Sequence, residues 1–280
     1  MKNKYLTVLC AVVWLLCRQS LFAGETNDTT IADLTNLVAK INVKLEAGKR
    51  QEADFADNIK EFDVLLAKHK GAKPEDLAQI LLAKAQLYAD ASLLDEPEKA
   101  LDLFKRIKHD FPTVQINGNT DETISGLEPV VAQWKIWHSL TAGTKFSGFA
   151  ATNIFGQALS TDDYKGKVVL VDFWATWCPP CRAALPDLLK TYSEYHSQGF
   201  EIIGVSLDDN LQKLLAFTRM MNMPWPQTCD GQGWTGGLVT QYGVYRLPST
   251  VLFNGQGIII GRDLRGDALE QAVAKAVARK

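Results

Sequence analysis

Apolar residues recur at three- and four-residue steps from Thr29 to about Phe111, the period of helices that bury one face. Ile31, Leu34, Leu37, Val38, Ile41 and Leu45 form one stripe, and Phe55, Ile59, Phe62 and Leu66 form the next. Pro74 followed by Glu75 and Asp76 predicts a third helix start, because proline loses no needed hydrogen bond there and acids favour the positive helix end. Leu77, Ile80, Leu81, Leu87 and Tyr88 would then face inward. A fourth helix is expected from near Asp95, with Glu98 in capping-box spacing, through Leu101, Phe104 and Ile107 to Phe111-Pro112. Residues 113–125 are polar and turn-rich and read as a loop, and a last helix is expected around Leu127 to Leu140. Its Trp134 and Trp137 read as packing residues.

Two readings of this helical region stay open. Ala100, Phe104 and Pro112 have the spacing of the second helix of a tetratricopeptide repeat. Only one half-repeat is present, so an all-α helical bundle whose stripes are simply core is the plainer reading, and a TPR-like surface for a peptide or protein partner is the alternative.

After Gly143 the period changes, and strands alternate with helices as in an α/β domain. Lys167 to Ala175 is a nearly continuous apolar run, as a central buried strand requires. A helix from about Pro179 to His196, a strand over Phe200–Ser206, a helix over Asp209–Asn222 and a short helix over Trp234–Tyr242 follow. Ser249–Phe253 and Ile258–Asp263 read as a hairpin across Asn254-Gly255-Gln256-Gly257, and residues 266–280 as a closing helix. The expected domains are therefore 24–140, helical, and 141–280, α/β.

The first 23 residues read as a secretory signal. Lys2 and Lys4 give a positive start, Tyr5–Leu16 is apolar, and Ser20-Leu21-Phe22-Ala23 ends in a small residue. The apolar run is shorter than the roughly 20 residues of a bilayer-spanning helix, which leaves an N-terminal membrane anchor as the alternative to cleavage. Cleavage would remove Lys2, Lys4 and Arg18 from the 30 basic side chains, leaving 27 against 32 acids. A mildly acidic chain offers no electrostatic case for nucleic acid. Of the five cysteines, Cys10 and Cys17 would leave with the signal. The remaining three are too few to staple a fold, so Cys178 and Cys181 read as a reactive pair.

A cysteine in the first turn of a helix has its thiolate stabilised by free backbone N–H groups and the helix dipole. Cys178 is placed to be that nucleophile. Cys181, one turn on, can reach the same sulfur to close a disulfide. Pro179 and Pro180 suit a helix start. A zinc half-site is the competing interpretation, but no second Cys-x-x-Cys and no nearby Cys/His pair completes four ligands, so no metal is expected. Sulfur carries the whole exchange, and no cofactor is expected either.

The segment Val171-Asp172-Phe173-Trp174-Ala175-Thr176-Trp177-Cys178-Pro179-Pro180-Cys181 resembles the active-site stretch of thioredoxins, and Gly166-Lys167-Val168-Val169-Leu170 before it resembles the TlpA-like extracytoplasmic branch. The similarity runs from about Leu140 to Lys280. It implies a thioredoxin-like fold with a central mixed sheet flanked by helices, and a periplasmic thiol-disulfide oxidoreductase. It further implies protein disulfides as substrates and a membrane-bound electron donor upstream, with service in cytochrome c maturation for some members. Pro186 matches the family's helix proline. Leu247-Pro248-Ser249-Thr250 is similar to its cis-proline loop: only about 5% of X-Pro bonds are cis, so the residues alone predict trans and the resemblance predicts cis. The resemblance makes Leu247 and Pro248 substrate-binding, Trp177 a shield and apolar contact for substrate, and Asp172 the proton acceptor for Cys181, through water. Many relatives carry a glutamate three residues after the second cysteine, where this chain has Ala184, and Asp172 is left as the sole candidate base. An outward-facing, solvated Asp172 is the alternative.

Cys229 has no family counterpart and reads as a partly buried free thiol. Gly231-Gln232-Gly233-Trp234-Thr235-Gly236 fits G-x-G-x-x-G but follows a proline-rich loop rather than a first strand, against dinucleotide binding. A peroxidase of the peroxiredoxin kind would use a lone peroxidatic cysteine in another setting. An interaction protein with little redox turnover, its helical domain recruiting a partner, is the reading from a different class.

Overall fold

The computed structural model describes residues 29–49, 51–90, 94–114 and 120–278. The expected signal, residues 1–23, lies outside them. The chain divides into two compact units, Met1–Val131 and Ala132–Lys280, a division nine residues before the boundary the sequence pattern suggests.

The first unit is helical: α1 (Thr29–Glu46), α2 (Glu52–Lys68), α3 (Pro74–Ala89), α4 (Pro97–Asp110) and the start of α5 (Thr120–Ser139). The stripes do close on one another. Leu34, Leu37 and Ile41 of α1 bury with Phe55 and Phe62 of α2 and Ile80 and Leu87 of α3, and Leu81, Phe104 and Ile107 form a second cluster. Ile31, first in its stripe, stays 39% exposed because it sits in the opening turn of α1. Helix α4 starts later than its capping-box spacing suggests. Pro97 occupies its first turn and Glu96 its N-cap, without a side-chain cap bond, while Asp95 takes a left-handed φ of 56° outside the helix. Helix α5 starts at Thr120, inside the segment expected to be loop; Asp121 and Glu122 in its first turn are the signal that outweighed the polar composition.

The second unit is built on a five-stranded sheet of order β5-β4-β3-β6-β7. Its strands are β3 (Val168–Trp174), β4 (Phe200–Ser206), β5 (Gln227–Thr228), β6 (Ser249–Phe253) and β7 (Ile259–Arg262). β3 pairs parallel with β4 and antiparallel with β6, and every residue of β3 is buried, as its unbroken apolar run requires. Val169, Val171 and Phe173 face a core with Trp137, Tyr242 and Val251. Val168 and Leu170 face the other layer, with Leu185 and Leu188 of α6 (Pro179–Tyr195) and Leu269 and Val273 of α9 (Gly266–Val277). Helices α7 (Leu211–Met220) and α8 (Gly237–Gln241) complete the layers. The short helix expected over Trp234–Tyr242 is split into a 3-10 turn, Gly233–Thr235, and α8. A two-stranded ribbon, β1 (Ala150–Thr152) with β2 (Ala158–Ser160), and the two-residue β5 are too short to leave a period in the sequence. A mixed sheet covered by helices on both faces, with the dithiol at the end of its central strand, is a thioredoxin-like fold.

Candidate active site

Strand β3 ends at Trp174, and Ala175-Thr176-Trp177 leads to Cys178, the N-cap residue of α6. Pro179 follows at the first helical position, where a missing N–H costs nothing. Cys178 and Cys181 form a disulfide with Cα atoms 5.3 Å apart. The Cys181 backbone N–H donates to Cys178 Sγ at 3.2 Å, so the first N–H of the helix, Pro179 and Pro180 having none, is aimed at that sulfur. Both cysteines are almost fully buried, whereas Pro179 and Pro180 are exposed.

Asp172, two residues before the end of β3, is 4% exposed. It shares the strand face of Val168 and Leu170 and lines a small cavity with Cys181, Ala184, Pro248, Thr250 and Arg265. The solvated alternative for Asp172 is therefore excluded. Burial pushes its carboxyl up to about 7, with the Arg265 guanidinium pulling the other way. The cavity has room for a water beside the carboxyl and the sulfur. Ala184 contributes only a methyl group to this wall.

The Leu247–Pro248 peptide is cis, as the resemblance implied and the residues alone did not. Pro248 is buried in the cavity wall, and Leu247 is half-buried. Trp177 stands 47% exposed beside the pair, its ring centroid 6.4 Å from that of Trp234.

Three participants escaped the sequence reading. Asp208, 3% exposed, accepts from the Thr176 N–H at 3.0 Å, the Thr176 hydroxyl at 2.6 Å and the Ser206 hydroxyl at 2.7 Å. It anchors the loop into Cys178 from the end of β4, yet in Asp208-Asp209-Asn210 it looks like ordinary turn composition. Arg265 donates to the Pro248 carbonyl, and nothing in its sequence position distinguishes it from a surface arginine. Trp234 lies inside the glycine-rich motif. That motif holds no phosphate cradle: the Asp230 carboxylate accepts from the N–H groups of Gln232 and Gly237 at 3.0 and 2.9 Å, placing negative charge where an anion would need to sit. Cys229 is a free, half-buried thiol, and no cluster of three or more potential metal ligands occurs among the described residues.

Residues 142–262 match the AhpC/TSA family profile. The second unit belongs to the thioredoxin-like AhpC/TSA family. Among its relatives is the thiol-disulfide oxidoreductase ResA of Bacillus thuringiensis subsp. konkukian, 29% identical over 129 residues, which are 46% of this chain and 72% of that protein. ResA of Halalkalibacterium halodurans is 32% identical over 119 residues, 42% of this chain and 66% of that protein. Among solved structures, the thioredoxin domain of a thiol-disulfide oxidoreductase from Bacteroides vulgatus is 33% identical, covering 49% of this chain and 99% of that one with a TM-score of 0.46. A thiol:disulfide interchange protein from a Bacteroides species is 33% identical, covering 50% and 92% with a TM-score of 0.45. Within the family, the chain falls among thiol-disulfide oxidoreductases. These alignments reach no more than half of this chain, and the family match lies wholly within the second unit.

Proposed function

We propose that the protein is an exported protein-disulfide reductase in which Cys178 attacks and Cys181 resolves. The observation that carries this reading is the Cys178–Cys181 disulfide at the mouth of α6, with the Cys181 amide on the Cys178 sulfur. In the dithiol form, Cys178 thiolate attacks one sulfur of a protein disulfide, forming a mixed disulfide and releasing the other as thiolate. Asp172 carboxylate, through water, takes the proton of Cys181. The Cys181 thiolate then bonds to Cys178 Sγ and expels the second substrate sulfur, so two electrons pass to the substrate and the enzyme ends oxidised. Trp177 and the Leu247–Pro248 backbone would contact the substrate chain. A donor, in this reading membrane-bound, restores the dithiol.

Export rests on the charged and apolar start of the chain, and the reducing direction rests on the TlpA-like resemblance. No helix among the described residues is long and apolar enough to cross a membrane. The domain assignment, 24–140 helical and 141–280 redox, belongs to the same reading, with the helical domain offering a surface to a partner.

Trapping tests the assigned roles. Cys181→Ser should accumulate covalent complexes with scrambled protein substrates, and Cys178→Ser should form none. Equal trapping by both variants would reject the assignment.

A further inference from the structure

Asp172 has a positively charged neighbour with a second task. Arg265 precedes α9 as its N-cap residue, in extended backbone. Its guanidinium donates to the carbonyl of Pro248 and lines the cavity that holds Asp172 and Cys181. The loop carrying it is tied to the same sheet region: the Asp263 N–H donates to the Thr250 carbonyl at 2.8 Å and the Thr250 N–H to Asp263 Oδ1 at 3.3 Å. Thr250 is the β6 partner of Asp172 in register.

We propose that Arg265 is a positioning residue of the dithiol site, one guanidinium both fixing the Pro248 carbonyl and serving as counter-charge to Asp172. This rests on the reading of Asp172 as proton acceptor for Cys181.

The other groups around Asp172 leave this task to Arg265. From α6, Cys181 and Asp187 line the cavity, the latter bringing further negative charge. On β4 the residue in register is Gly204, without a side chain. Asp263 pairs with Arg246 at 3.2 Å and Arg262 at 3.8 Å and acts on Arg265 more strongly than Asp172 does, so Arg265 stands between two acids, of which only Asp172 lines the cavity. A buried carboxylate opposite no cation would stay protonated at neutral pH and could not accept a proton. With Arg265 in place its carboxyl lies near 7, where both forms are populated. The arginine that offsets part of the burial effect also holds the loop meant to receive substrate.

The test uses the full chain. Asp172 is followed by carbon-13 carboxyl NMR between pH 5 and 9, and reduction of insulin by the reduced enzyme is timed in single turnover. Arg265→Gln and Arg265→Met should move the Asp172 half-point up by about one unit, as loss of a close opposite charge does. At pH 7 the single-turnover rate should fall about fivefold in both, with a raised KM for insulin, while Arg265→Lys keeps the half-point of the wild type. An unmoved half-point in a folded Gln or Met variant overturns the proposal. In the wild type, the Arg265 guanidinium nitrogen shifts must titrate with Asp172, and a guanidinium blind to that step overturns it without any variant. Asp172→Asn separates the two claims: an unchanged pH profile of turnover would reject the acceptor role while leaving the measured Arg265–Asp172 coupling standing.

Discussion

Asp208 grips Thr176 at two points, 3.0 Å from its backbone N–H and 2.6 Å from its hydroxyl, two residues ahead of Cys178. The same carboxylate accepts from Ser206, and its own N–H donates back to the Ser206 hydroxyl at 3.0 Å. Bonds to a buried carboxylate are worth more than neutral ones, and deleting the acceptor strands their donors. Asp208→Ala should lower unfolding free energy by about 3 kcal/mol, seen in urea denaturation as a lower midpoint at constant slope. Turnover should fall as well, since the loop would no longer hold Cys178 at the helix mouth. A variant with wild-type stability and rate would show that the loop is held by its other contacts.

Cys229 tests the same corner from the opposite side. Its thiol donates to the Asp208 carbonyl at 3.0 Å, and burial pushes it up from the ordinary thiol range, so it stays protonated and slow to react at neutral pH. In the reduced protein, alkylation by iodoacetamide at pH 7 should modify Cys178 first and Cys229 last, by mass spectrometry of peptides. Cys229→Ser, which keeps an O–H donor, should leave insulin reduction within about twofold and stability within roughly 0.5 kcal/mol.

Trp177 should separate substrate binding from chemistry. It is 47% exposed, so Trp177→Ala removes little buried area and should change stability by no more than about 1 kcal/mol. It does remove a large apolar contact beside the disulfide. KM for a protein disulfide such as insulin should rise several-fold, while reduction of a small disulfide such as oxidised glutathione stays near the wild-type rate. Equal losses with both substrates would indicate that Trp177 acts on the sulfurs themselves.

The parts of this site that could be read from the chain are those fixed by local chemistry. Cys178, Cys181 and Pro179 declare a helix mouth within four residues, and β3 declares its burial through an unbroken apolar run. Asp172 is the lone acid within that strand, although only the fold shows which face it takes and that Cys181 and Pro248 share its cavity. Asp208 and Arg265 lie 30 and 87 positions along the chain from Cys178 and act across the sheet. Their roles come from long-range pairing, which leaves no periodic mark. Helix α5 shows the opposite case: its first-turn acids were a local signal, but the surrounding polar residues read as loop.

The carboxyl of Asp172 should write itself into the pH dependence of stability. In the unfolded chain it titrates near the ordinary aspartate value of 3.8, and in the folded protein near 7. Between those values the folded state holds a proton that the unfolded state has lost, so stability falls as pH rises through this window and levels off above it. About three pH units at 1.36 kcal/mol each is a loss on the order of 4 kcal/mol. Asp172→Asn cannot titrate, so relative to wild type it should gain stability progressively from pH 4 to pH 8. Guanidinium denaturation of the oxidised forms across that range measures the difference. A wild type and variant whose stabilities run parallel from pH 4 to 8 would mean that Asp172 is already ionised in the folded protein, and the carboxylate would then need a closer counter-charge than Arg265 supplies.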